Sequence, residues 1–314
     1  MHTSIPQTGD AEVAHQVLNT NQAQWRFMVD NAISSGSNRH HLIDRLRGDL
    51  ERIAQPRHLH WNRLGLLATR DFVKHSLALQ GHVQEHHFDE GQGDGVNLIL
   101  KLPGVEPKLR PILIGAHYDG PLNSVGADDN ASGMAALLEL ARRWADKSPR
   151  RPVWLVAFDQ EEWGMLGSKA LAQRLQAEEQ PLKLMVSLEM LAYTSPNQNY
   201  PHPAMQAIYG DRGDFIALVA NIGAALMLPG LSRDLGRHAR TKVLPVPNFG
   251  HDIPDVRLSD HSPFWDAGFD AVMITDTSFM RNPHYHQMSD TIETLDLDFL
   301  AGVIDGLDDA FSKV

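Results

Sequence analysis

Residues 111–133 read PILIGAHYDGPLNSVGADDNASG, and the rest of the chain is read outward from them. Pro111 to Ala116 is a continuous apolar run, the pattern of a strand buried on both faces of a sheet. It gives way to a polar loop carrying His117, Asp119, Asp128 and Asp129, and a helical pattern then begins at Asn130, a good N-cap residue. His117 and Asp119 stand two apart at a strand end, so they project to one side. At that spacing Asp119 can accept the second imidazole N–H and fix the tautomer. Asp128 and Asp129 are adjacent and cannot easily both face one cation, so one is a ligand and the other braces the loop. The stretch reads as half of a site for a pair of metal ions.

Later strand ends supply the other half. Val153 to Phe158 is apolar and runs directly into Asp159-Gln160-Glu161-Glu162. Consecutive side chains diverge at a strand end, which leaves one glutamate to bind a cation and the other to act as a base. Leu184 to Leu188 is apolar and ends at Glu189, a carboxylate that is costly there unless paired or bound to a cation. In PHYHQMSD, one of His284 and His286 is the remaining nitrogen ligand. His58 and His60 in HLHW have no third ligand nearby and read as surface.

The chain has 314 residues, 42% hydrophobic and 21% charged, enough for a large core. A net charge of −11 lacks the basic footprint of a nucleic-acid surface and leaves a peptide or amino-acyl small molecule as substrate. With no cysteine, any metal must be held by His, Asp and Glu, which suits zinc or manganese. Neither a signal peptide nor a membrane span is evident, so a cytoplasmic location is expected, or a periplasmic or secreted one if a signal was removed ahead of Met1. Oligomeric state is not legible.

Residues 1–20 read as a flexible arm and 21–314 as one α/β domain. Helices are expected from Gln22 to about Gln55, Leu66 to Gln80, Asn130 to Asp146, Gly167 to Gln176 and around Leu300 to Phe311. A hairpin is expected over Val83 to Phe88 and Val96 to Leu102 across the turn DEGQGDG. Ala204 to Tyr209 reads as a strand, Asp214 to Leu228 as a helix, 229–263 as irregular loop, and Ala271 to Thr275 as a last buried strand. Strands alternating with helices imply a three-layer fold, a mixed and mostly parallel sheet with helices on both faces, and a site beyond the strands' carboxyl ends.

The pieces GAHYDG, GADDNASG, FDQEEWGMLGS, SLEM, SDHSPFWDAGF and YHQMSDT occur in that order across residues 111–291. As a set the chain resembles the co-catalytic di-zinc aminopeptidases and their glutamate carboxypeptidase relatives. The resemblance implies a phosphorylase/hydrolase-like fold and a zinc exopeptidase that cleaves N-terminal residues with a bridging water. By position it implies that His117 and Glu189 hold one Zn2+, Glu162 and His286 the other, and Asp128 bridges them. It makes Glu161 the general base and Asp119 the orienting carboxylate of His117, with a cis peptide at Asp128–Asp129. Many of the aminopeptidases have Asp where this chain has Glu189, and the carboxypeptidases vary there, so a carboxypeptidase or dipeptidase stays open. Glutaminyl cyclases share the Glu-Glu and SDHSPF-like regions and use one Zn2+; non-catalytic receptor ectodomains share the fold but lose ligands. Substrate contacts are expected from Asn248 to Trp265 and Asp276 to Arg281, with Phe249, Phe264, Trp265 and Phe279 as apolar lining or core. Arg281 would meet a substrate carboxylate or pair with Asp276.

Overall fold

The apolar run after Pro111 forms strand β3 (Ile112–His117), buried along its whole length near the middle of an eight-stranded sheet. The structure, a computed structural model, describes residues 38–313; the expected arm and the start of the first expected helix lie outside them. The chain divides into two units, Met1–Arg45 and Leu46–Val314, and the sheet and the site belong to the second.

The first described helix, α1, spans residues 38–53, followed by α2 (Arg63–Ala78). Strands β1 (Val83–Phe88) and β2 (Gly95–Leu102) form the expected antiparallel hairpin. Helix α3 (Gly133–Asp146) follows β3, and β4 (Val153–Phe158), α4 (Leu166–Ala177) and β5 (Leu184–Glu189) continue the alternation. Later come α5 (Pro203–Tyr209), β6 (Ile216–Asn221), α6 (Leu228–Leu235), β7 (Thr241–Val246), α7 (His261–Asp266), β8 (Ala271–Thr275) and α8 (Leu297–Phe311). The strand order is β1-β2-β4-β3-β5-β8-β6-β7. Strands β4, β3, β5 and β8 run parallel, β2 and β6 pair antiparallel at the flanks of that block, and β7 pairs parallel with β6 at the edge.

Alternation along each strand sends side chains to opposite helical layers. Leu113, Val156, Phe158 and Met185 join one core with Leu171 and Leu175 of α4 and Phe264 and Trp265 of α7. Helix α3 packs on β3 and β5 and against α2 and α8, and α8 in turn packs on α6. The expected three-layer α/β sandwich is what forms.

Three expectations fail between 204 and 263. Residues 203–209 are helical, begun by Pro203 and a His202 side chain that accepts from the Ala204 N–H at 3.1 Å. The apolar run from Asp214 holds strand β6, buried at every position, and then a 3-10 turn. A run buried on both sides carries no period that separates strand from helix. Within 229–263, read as loop, lie most of α6, all of β7 and the start of α7; Pro245 fits β7 because an edge strand need not donate on its outer side.

Candidate metal centre

His117 is the last residue of β3 and Glu189 the last of β5, two neighbouring parallel strands, so both emerge at the same end of the sheet. Glu161 and Glu162 lie in the turn just past β4, which pairs with β3 on its other side. Left-handed backbone occurs just past β4 and β5, at Gln160 (φ 59°) and Met190 (φ 50°), and again in the later loop at His286 (φ 56°). Non-glycine residues in that region cost about 1–3 kcal/mol each and gather at functional sites.

Between β3 and α3 the chain makes an irregular turn, Ala127–Ser132, with Asp129 and Asn130 off helical geometry and a cis peptide joining them. The cis bond was expected one residue earlier. Asn130 still serves the helix start: its Oδ1 accepts from the N–H groups of Gly133 and Met190, and its Nδ2 donates to the Leu188 carbonyl. One amide therefore ties the turn to the end of β5.

This turn corrects the expected bridge. Asp128 points away from the imidazoles. Its Oδ1 accepts from Ala192 N–H at 3.1 Å and Ser132 Oγ at 3.1 Å, and its Oδ2 from Asn282 Nδ2 at 2.8 Å. Burial, with the neighbouring Asp276, holds its carboxyl above the ordinary range, and its hydrogen bonds brace the turn. Asp129 takes the central position. Its Oδ1 lies 3.3 Å from His117 Nε2 and its Oδ2 3.1 Å from His286 Nε2, one oxygen turned to each imidazole. No local pattern separates two adjacent aspartates; the backbone path of the turn decides between them.

The other side chains gather on either side of Asp129. Glu189 lies 3.7 Å and Glu161 3.9 Å from His117 Nε2, while Glu162 lies 3.4 Å from His286 Nε2. One donor atom each from His117, Glu161 and Glu189 falls within a 4.8 Å group, and so does one each from His117, Asp129 and Glu162. His284 stands outside, bonded through Nδ1 to Ser289 Oγ at 2.9 Å. His58 and His60 pack edge-on against Trp163.

Buried carboxylates hold the frame. The side chain of Asp119 lies 3.4 Å from His117 Nδ1, and its two oxygens also accept from the Glu161 and Glu162 N–H groups at 3.0 and 3.2 Å. Asp290 grips the opposite loop in the same way, accepting from the Asp128 and Asp129 N–H groups at 2.9 and 3.2 Å. Ser259 donates to Glu189 Oε2 at 2.7 Å and meets Ser187 Oγ at 2.8 Å. The buried guanidinium of Arg57 donates to the carbonyls of Tyr118, Val125, Gly126 and Asp129. Arg57, Asp290, Asn282 and Ser259 went unread because a lone polar residue in a loop gives no periodic signal.

The electrostatics call for a cation. Burial pushes the Glu161 and Glu162 carboxyls well up and Glu189 up; His117 opposes this, and neighbouring carboxylates add to it. Burial disfavours the His117 imidazolium, but Glu161 and Glu189 outweigh it and hold the group well above its usual value. Asp129 is the exception, drawn below its range against the effect of burial by His117 and His286. His117 Nε2 and Glu162 Oε1 are buried without a hydrogen-bond partner among the described residues. Orphaned nitrogen and oxygen donors in a buried, net-negative cluster are the donor set that zinc takes, so the residues fit the metal.

An apolar cavity adjoins the cluster, reached by Asp129, Glu161, Glu189, Tyr285 and His286. Of the residues expected to contact substrate, Phe279 lines it and Phe249, Phe264, Trp265 and Arg281 do not. Phe264 and Trp265 are core, with Trp265 Nε1 donating to the Ala271 carbonyl at 3.0 Å. Phe249 is 43% exposed. Arg281 is buried and donates to Gln198 Oε1 and the Tyr193 and Phe215 carbonyls, a structural post off the cavity wall whose Nη2 has no hydrogen-bond partner among the described residues.

Imidazoles and carboxylates gathered at the carboxyl ends of a buried mixed sheet are the equipment of a metal-dependent hydrolase. The model of peptidase family M28 matches residues 97–307, and the chain belongs to that family. It is similar to the uncharacterized protein YfbL of Escherichia coli, 41% identical over 218 residues that make up 62% of this chain and 64% of YfbL. It is also similar to leupeptin-inactivating enzyme 1 of Streptomyces exfoliatus, 30% identical over 66% of this chain and 42% of that enzyme. The match thus spans less than two thirds of either relative. Among solved structures, the LapA aminopeptidase of Legionella pneumophila superposes with a TM-score of 0.63 at 19% identity, covering 87% of this chain and 73% of LapA. The glutaminyl cyclase of Bacteroides thetaiotaomicron superposes with a TM-score of 0.62 at 15% identity, covering 88% of this chain and 98% of the cyclase. At such identities the likeness is one of fold. No described helix is long and apolar enough to cross a membrane.

Proposed function

We propose that the protein is a zinc-dependent exopeptidase, and an aminopeptidase by preference, working with two zinc ions. The observation that carries this is the placement of Asp129, with one carboxylate oxygen toward His117 and the other toward His286. A carboxylate so placed is suited to be shared by two cations, with His117 and Glu189 completing one set and Glu162 and His286 the other. Zinc bound there would lower the pKa of a water toward neutrality and polarise the scissile carbonyl.

The chain's own residues supply the rest. Glu161 stands beside the cluster, where burial raises the basicity of its carboxylate, and is placed to take the proton of the attacking water and pass it to the leaving amine. Asp119 fixes the pitch of His117 and the turn that presents Glu161 and Glu162. Burial and the nearby carboxylates keep the Tyr285 hydroxyl protonated at the cavity wall, a donor available to a developing oxyanion.

The test is a panel of free, N-blocked and C-blocked peptides assayed with zinc, alongside metal content per chain. Cleavage only when the amine is free establishes an aminopeptidase; cleavage only when the carboxyl is free makes it a carboxypeptidase. A single tightly held zinc, no hydrolysis, and cyclisation of an N-terminal glutamine would replace the reading with a glutaminyl cyclase. The likeness of fold to such a cyclase is the reason to include that substrate.

A further inference from the structure

The cavity runs from the carboxylate cluster across the sheet, and a single register row lays its floor. Glu189 of β5 pairs with Thr275 of β8, Thr275 with Ala217 of β6, and Ala217 with Lys242 of β7. Residues paired across neighbouring strands share a face, and all four line the cavity. Strands lie about 4.8 Å apart, so three steps put the Lys242 backbone about 14 Å from that of Glu189. The next row on the same face, Met273, Val219 and Leu244, is apolar and lines the cavity too.

Lys242 is the one Lys or Arg lining this cavity among the described residues. Its ammonium lies 4.4 Å from the Phe215 ring centre and 5.8 Å from that of Tyr209, and no carboxylate among the described residues pairs with it. Asp214, which attracts it, is engaged by Arg240 at 3.2 Å and Arg212 at 3.1 Å. An edge-strand lysine commonly stays in water and guards the edge against pairing. Lys242 instead turns onto the apolar face that leads to the metal centre.

We propose that Lys242 receives a carboxylate of the bound substrate, which makes it a specificity residue of the exopeptidase site. This deepens the peptidase reading above and rests on it. An extended peptide advances about 3.3 Å per residue. With the two backbones about 14 Å apart, the recognised carboxylate falls roughly two to four residues from the scissile bond on that scale. It is the C-terminus of a short peptide or the side chain of an Asp or Glu at that distance. A cation held against two aromatic rings favours an anionic partner over an amide, through a charge-assisted hydrogen bond.

The experiment compares kcat/KM on the zinc-loaded full chain for matched unblocked tri- and tetrapeptides. One arm sets a free C-terminus against its amide, and the other sets Glu against Gln within an amidated peptide. The expected result is a preference for the carboxylate of at least about 10-fold in one arm. That ratio should collapse toward one in Lys242→Met and return in Lys242→Arg. The arm that responds names the source of the carboxylate. Each ratio is read within one variant, so partial loss of folded protein cancels, and Lys242→Gln serves if the Met variant does not fold. A ratio near one in both arms of the unaltered protein, or a preference that survives Lys242→Met, overturns the proposal while leaving the peptidase reading intact. Failure of the unaltered protein to hydrolyse any of the peptides removes that reading and this proposal together.

Discussion

At Asp129 one carboxylate stands between two imidazoles, and the neighbouring Asp128, identical in kind, is a hydrogen-bonded strut turned away from them. Substitution should separate them. Asp129→Ala is expected to release at least one equivalent of zinc as measured by atomic absorption. Asp128→Asn, which keeps the shape of the side chain, should retain the metal and lose about 1–2 kcal/mol in denaturant unfolding. Equal metal loss in both would return the bridge to Asp128. Glu161→Gln should hold its zinc while turnover falls at least ~100-fold, the contribution of a general base; unchanged turnover would remove Glu161 from the chemistry. At this scale the residue types of the site were legible, because histidines and paired acids just past apolar runs are few. Which of two adjacent acids faces the metals was not, since it depends on backbone dihedrals that neighbouring residue types do not specify.

The elements that carry the site are the ones that read most clearly. Strands β3, β4, β5 and β8 are short apolar runs that end abruptly in polar residues, and their carboxyl ends deliver His117, the Glu161–Glu162 turn, Glu189 and the His286 loop. The β6–β7 flank read poorly because Ile216 to Met227 is apolar without a period, and because the proline in β7 is tolerable only at an edge that the tertiary fold alone defines. The loops between elements depend on Arg57. Its guanidinium is buried among carbonyls from α1, the β3 exit and the Asp129 turn, and carries no carboxylate partner in hydrogen-bond contact among the described residues. Arg57→Met would leave several of those oxygens unsatisfied. The expected loss is roughly 3 kcal/mol or more, read from a urea midpoint, together with weaker zinc retention. A change below about 0.5 kcal/mol, the range typical of surface substitutions, would show that water replaces the guanidinium.

Over the whole molecule, the centre sets a pH dependence that metal should mask. Without zinc, burial pushes Asp260 and Asp290 up to about 7 and Asp276 to about 6. An aspartate in the unfolded chain titrates near 3.9. Between these values the folded state holds more protons than the unfolded state, so stability falls as pH rises through that window. His117, also raised, adds stability below its unfolded value that is lost as pH rises through its folded one, in the same direction. Asp129, depressed, contributes fully above the ordinary aspartate range and is silent across that span. Chelator-treated protein is therefore expected to melt at lower temperature at pH 7.5 than at pH 5.5. Zinc should raise both values, and more so at the higher pH, because bound cation replaces the missing protons. A metal-free protein equally stable at both pH values would contradict this account of the cluster.

The sequence alone determined the three-layer α/β architecture and the kinds of side chain at the strand ends. Both follow from local alternation of apolar and polar residues and from acids and histidines placed where buried strands stop. Only the tertiary structure decided that Asp129 and not Asp128 stands between the imidazoles, that Phe264, Trp265 and Arg281 are framework, and that Lys242 lies on the same register row as Glu189. Each of these depends on how backbone turns and strand order bring distant residues face to face, and no short window of sequence records that.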